Sequence, residues 1–213
     1  VKVVPVIFSR SIASGSPVRV SFTYIRSVFR SAATASSLTS AVFLYKTEGI
    51  KLSEKVFYED HEYATFPCSK AKSILPLDLF IYEYRIGDVT QSVSAENQLK
   101  RIGHTETVLK RMTAEGKNFT GAAALYCAKK THLLLLSFLV TSLLCDKDRK
   151  AGRKRADEMM DFMDKEYHIV YEMSRKHCKI LKTLNRLHIG LNGYNRILNS
   201  KLYNKVRHNK SFE

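Results

Sequence analysis

An α+β fold is what the sequence predicts: a β-rich or irregular N-terminal portion carrying a basic arm, followed by a mostly α-helical C-terminal portion. Three observations lead there. All four prolines (Pro5, Pro17, Pro67 and Pro76) fall in the first 76 residues of 213, and proline is the strongest breaker of helix interiors. The same region holds short runs rich in Val, Ile, Phe and Tyr, at 3–8, 18–25, 41–45, 56–58 and 77–86, the composition of strands. From residue 93 on, apolar side chains recur at spacings of three and four, the period of a helix face.

Three segments follow from composition: a basic Ser/Arg-rich arm over 1–46, a β-rich portion over 47–92, and a helical portion with a basic end over 93–213. The arm carries six basic residues and no acidic one, the composition of a mitochondrial targeting segment or of a basic arm kept on the mature chain. In the β-rich portion Phe80, Tyr82 and Tyr84 alternate with Leu79, Ile81 and Glu83, and Gly87-Asp88 supplies a turn. Glu59, Asp60, His61 and Glu62 form the densest acidic group. Neighbours on a strand point to opposite faces, so these four are expected to be a solvated turn rather than a metal site.

The helical portion opens with Ser94 as an N-cap and a stripe of Leu99, Ile102, Leu109 and Met112 that ends near Gly116. Residues 120–145 contain an apolar run over 133–145. As a helix that run spans about 20 Å, short of the roughly 30 Å of a bilayer core, which favours a buried core helix over a membrane segment. Residues 153–189 lack Gly and Pro and carry an apolar stripe through Met160, Met163, Val170, Cys178 and Leu181. They are expected to form one long helix of about 55 Å, fit to pair in a hairpin, a coiled coil or with a protein partner. Gly190 and Gly193 end it, and a shorter helix follows.

Charge is the main functional signal. The net charge is +15, divided as six basic and no acidic residues over 1–46, 19 of each sign over 47–172, and ten basic residues against Glu213 alone over 173–213. A neutral centre with cationic ends is suited to an anionic partner: RNA or another polyanion, an anionic membrane surface, or an acidic protein. Six of the nine residues over 147–155 are basic, and a second basic series runs opposite the apolar stripe beyond residue 174. The proposed nucleic-acid contacts are therefore Arg149, Lys150, Arg153, Lys154, Arg155, Lys179, Lys182 and Arg186, with Tyr194 and Tyr203 placed to stack on unpaired bases.

Catalytic signals do not rise above this. Phosphate-binding glycine loops, GxSxG and HExxH do not occur. Cys68, Cys127, Cys145 and Cys178 lack the spacing of a zinc site and read as reduced thiols of an intracellular protein. His177 and Cys178 diverge by about 100° on a helix and so face different environments. The expectation is a non-enzyme without metal or cofactor: an RNA-binding or ribonucleoprotein-assembly protein, or else a structural subunit of an organellar or membrane-associated complex.

Overall fold

The structure, a computed structural model, describes residues 49–71 and 95–200. Every regular element among them is helical. The helices are α1 (Asp60–Lys70), α2 (Ala95–Lys100), α3 (Ile102–Gly116), α4 (Gly121–Val140, continued by a π-helical turn at Thr141–Cys145), α5 (Arg149–Glu166), α6 (His168–Arg186) and α7 (Leu191–Leu198). No strand occurs among the described residues, so the expected α+β class is corrected to an all-helical one. The runs at 3–8, 18–25, 41–45 and 77–86, the turn at Gly87-Asp88 and Ser94 lie outside the described residues, as does the arm over 1–46.

The correction is sharpest at α1. The acidic group expected to be a turn is the helix's first turn and the residue before it, and Pro67 sits inside the helix. A proline there removes one backbone hydrogen bond and crowds the preceding turn. The helix persists because burial outweighs that cost: Thr65, Phe66, Pro67, Cys68 and Ser69 are all buried. Glu62 is fully buried as well, and its carboxylate accepts from the Ser53 backbone N–H at 2.8 Å and from the Ser53 hydroxyl at 2.7 Å. The run at 56–58 is irregular chain leading into this helix.

The chain divides into two compact units, with α3 and α4 each contributing to both. The first unit holds residues 49–71 and the stretches 107–131. Its apolar core is Phe66, Cys68, Val108, Leu109, Met112, Cys127 and Ala128. Tyr126 ties α4 to α1 by donating its hydroxyl to the Ala64 carbonyl at 3.2 Å.

The second unit holds 95–106 and everything from His132 onward. The long helix expected over 153–189 is two helices. The chain breaks at Tyr167, whose φ of −152° and ψ of 63° leave the helical region, and α6 folds back along α5. Nothing in the composition marks the break, because a buried tyrosine rather than glycine or proline occupies it. Arg153 meets Asn185 and Asp157 meets Lys182, so α5 and α6 run antiparallel. His132 meets Ser174 and Leu143 meets Asn185, each across 42 residues, so α4 and α6 run parallel and in register. Leu135, Phe138, Leu139, Leu143, Met163 and Val170 fill the space between. The apolar run at 133–145 thus lies largely inside this unit, at the end of a 25-residue helix, Gly121–Cys145, that is by length and composition alone sufficient to cross a membrane.

Candidate nucleic-acid interface

The end of α4 determines where the cations go. The last carbonyls of a helix have no partner within it. Here Leu143 O accepts from Arg149 Nη1 at 2.9 Å and from Asn185 Nδ2 at 2.6 Å, which uses both lone pairs. Asn185 Oδ1 in turn accepts from Arg153 Nη1. The next turn is fixed by two carboxylates. Asp146 accepts from the Asp148 N–H at 2.9 Å and from Arg155 Nη1 at 3.1 Å. Asp148 caps α5 by accepting from the Lys150 and Ala151 N–H groups at 2.9 and 3.0 Å. The Ala151 N–H is the main reason its carboxyl lies below the usual range.

The eight residues proposed from sequence therefore separate into two groups of four. Arg149, Arg153, Arg155 and Lys182 are half-buried and spend their side chains on Leu143 O, Asn185, Asp146 and Asp157 respectively. Lys150, Lys154, Lys179 and Arg186 are exposed. Lys154 lies 3.9 Å from Glu158, an exposed pairing of little energetic consequence. Lys179 and Arg186 make no ion pair among the described residues. The antiparallel hairpin brings the start of α5 beside the end of α6, so all eight gather at one end. The loop end is mixed in charge, with Asp161, Asp164, Glu166 and Glu172 accompanied by Lys165, His168, Lys176 and Arg175, the last held by Glu172 at 2.8 Å. Tyr194 is half-buried on α7 and Arg196 beside it is exposed, whereas Tyr203 lies outside the described residues.

Two other polar clusters were missed in the sequence. One, in the first unit, surrounds Lys130, which is only 6% exposed. Burial pushes its pKa down to about 8, against the opposing pull of Cys68 and Asp60. Cys68 is pushed up to about 11, first by burial, and burial raises Tyr126 as well, with the nearby Cys68 adding to it. Burial also lowers His61. Helical spacing could have flagged Lys130, which lies in an apolar sequence and shares a helix face with Cys127 and Leu134. The second cluster belongs to the second unit: His132 Nδ1 lies 2.8 Å from Ser174 Oγ, and the His132 and His177 rings are 5.8 Å apart, centroid to centroid. A shallow pocket of about 140 Å³ in the first unit is lined by Lys51, Lys70, Arg111, Glu115 and Phe66, and its arginine is held by Glu115 at 2.9 Å.

No protein-family model matches the chain, and neither a curated protein nor a solved structure is significantly similar to it.

Proposed function

We propose that this protein binds RNA, as a non-catalytic component of ribonucleoprotein assembly, through the cationic end of the α5–α6 hairpin. The observation that carries the reading is the division of labour among the cations. Arg153 and Lys182 join the two helices by bonding Asn185 and Asp157, and this holds the exposed Lys150, Lys154, Lys179 and Arg186 together at one end. The helices that carry these cations are fixed in place before binding, so only the exposed side chains remain to be ordered when they neutralise neighbouring phosphates. Affinity of this kind comes from released counterions, so its signature is salt dependence rather than sequence preference.

The test is fluorescence anisotropy with a labelled single-stranded RNA across a salt series. Each phosphate contact on a single strand contributes a slope of about −0.7 to log K against log salt. The four-fold variant Lys150→Gln, Lys154→Gln, Lys179→Gln, Arg186→Gln should therefore flatten the slope by about 3. Lys165→Gln, at the loop end, should leave it alone. An unchanged slope in the four-fold variant, with its circular dichroism intact, would refute the interface.

A second reading, a structural subunit of an organellar or membrane-associated complex, is favoured by a separate observation. Ile169 and Ile180 on α6 and Leu187, which caps its end, are 48%, 57% and 64% exposed and share one side with the half-buried Met173 and Leu184. Such an apolar strip is a surface for a partner. Under this reading Ile180→Glu with Leu187→Glu abolishes incorporation into the complex and leaves the RNA salt slope untouched. For a membrane-associated complex, full release by carbonate counts against an integral segment at Gly121–Cys145.

A further inference from the structure

Neither the interface nor the core accounts for the two histidines that face each other between α4 and α6. We propose that His132 and His177 form a binding site for a late transition-metal ion of the class that imidazole prefers: Zn²⁺, Cu²⁺ or Ni²⁺.

The argument begins with the rings. Their centroids are 5.8 Å apart and their planes inclined by 56°. Metal–nitrogen bonds to histidine are about 2.0–2.1 Å. Two imidazoles on one four-coordinate ion therefore hold their centroids on the order of 5–6 Å apart, the separation these two rings already have. The pair also sits on a fixed frame. The hydrogen bond from Asn185 to Leu143 O keeps α4 and α6 in register eleven residues further along both helices.

Ser174 supplies the third observation. It is fully buried on the core side of α6, a position where an apolar residue would pack better, and its hydroxyl oxygen meets His132 Nδ1 at 2.8 Å. A metal-bound histidine characteristically donates its other ring N–H to a neighbour, which fixes ring and tautomer. Metal at His132 Nε2 selects the form in which Nδ1–H donates to Ser174 Oγ, so the bond already present is the one that ligation requires.

Among the described residues no third His, Cys, Asp or Glu converges on the pair. His177 is exposed, so water completes the coordination and the ion exchanges with solvent. Hard cations that demand oxygen ligands, Mg²⁺ and Ca²⁺, have nothing to bind here.

Isothermal titration of the full-length, tag-free protein with zinc chloride near pH 7.5 tests the site. Saturable one-to-one binding is expected, with none for magnesium chloride. His177→Gln, on the surface and so compatible with folding, should weaken binding at least ten-fold. Ser174→Ala should weaken it by about ten-fold through the lost ring support, and His168→Gln should not change it. Absence of saturable zinc binding by the folded wild type would overturn the proposal, as would full affinity in His177→Gln or loss of binding in His168→Gln.

Discussion

Gly152→Ala is expected to destabilise the protein by roughly 2 kcal/mol, although helix propensity alone predicts a gain of about 1 kcal/mol for the same change. The sign reverses because of what Gly152 faces. It lies buried in the first turn of α5, and a Cβ built there would overlap the carbonyl oxygen of Ser142 in the π-helical turn of α4. That oxygen belongs to backbone and cannot swing away as a side chain does. Accommodating a methyl group means parting α5 from the end of α4, and with it straining the bonds that Arg149 and Asn185 make to Leu143 O. Gly103 offers the contrast. It lies in α3 with open space around its Cα, so Gly103→Ala should stabilise by about 0.5–1 kcal/mol. Urea unfolding followed by far-ultraviolet circular dichroism checks both. If the two substitutions moved the midpoint in the same direction, the close approach at Gly152 would not be what holds α5 to α4.

The same contact explains why the helical half was legible and its assembly was not. The period of three and four placed helices over the described part of 93–198, and Met159, Met160, Met163, Cys178 and Leu181 are buried as the stripe requires. Period alone, however, does not rank polar residues. The buried side of α6 reads Val170, Ser174, Cys178, Leu181, Asn185, two of them polar. Met173 and Leu184, natural choices for the stripe, are only half-buried, and Ile169, Ile180 and Leu187 are exposed. Ser174 and Asn185 are inside because each has a specific partner on α4, and partners across 42 residues leave no trace in local spacing. The hairpin at Tyr167 and the helix around Pro67 were hidden for a related reason: tertiary burial overrode the local rule in both places.

The charged segments show how far composition reaches. The density of basic residues over 147–155 was plain, but composition counts charges and not their bonds. Arg149, Arg153 and Arg155 alternate in sequence with the exposed Lys150 and Lys154, and the arginines are the members that turn inward. That choice has a physical basis: a planar guanidinium satisfies a carbonyl, an amide or a carboxylate at a fixed angle, while an ammonium is more strongly hydrated and stays in water. The two groups should fail differently. Arg153→Gln loses the bond to Asn185 and should act on stability first, whereas substitution of Lys150 or Lys154 should leave stability unchanged and, on the proposed reading, weaken RNA binding.

Lys130→Met should raise stability at pH 7 on the order of 3 kcal/mol, because Lys130 is buried at a net electrostatic cost. Its pKa falls from 10.5 to about 8, so the folded protein holds this proton less tightly than the unfolded chain does. By linkage the resulting penalty is fully present below pH 8 and fades as pH rises from 8 toward 10.5. Wild-type stability should therefore rise between pH 8 and 9, on the order of 1 kcal/mol over that interval. Cys68 acts in the opposite sense above it. Its thiol is raised from 9.0 to about 11, so the unfolded chain loses that proton first and stability falls as pH climbs beyond 9. The raised Tyr126 hydroxyl adds to the fall above pH 10. The wild type should thus show a maximum near pH 9, while Lys130→Met should be more stable at pH 7, flat to pH 9, and then decline. A methionine fits the space because its unbranched thioether follows the course of the lysine stem. Urea midpoints measured from pH 7 to 10 distinguish the cases. Parallel profiles in the two proteins would show that Lys130 keeps its charge at no cost, through bonds that outweigh its burial.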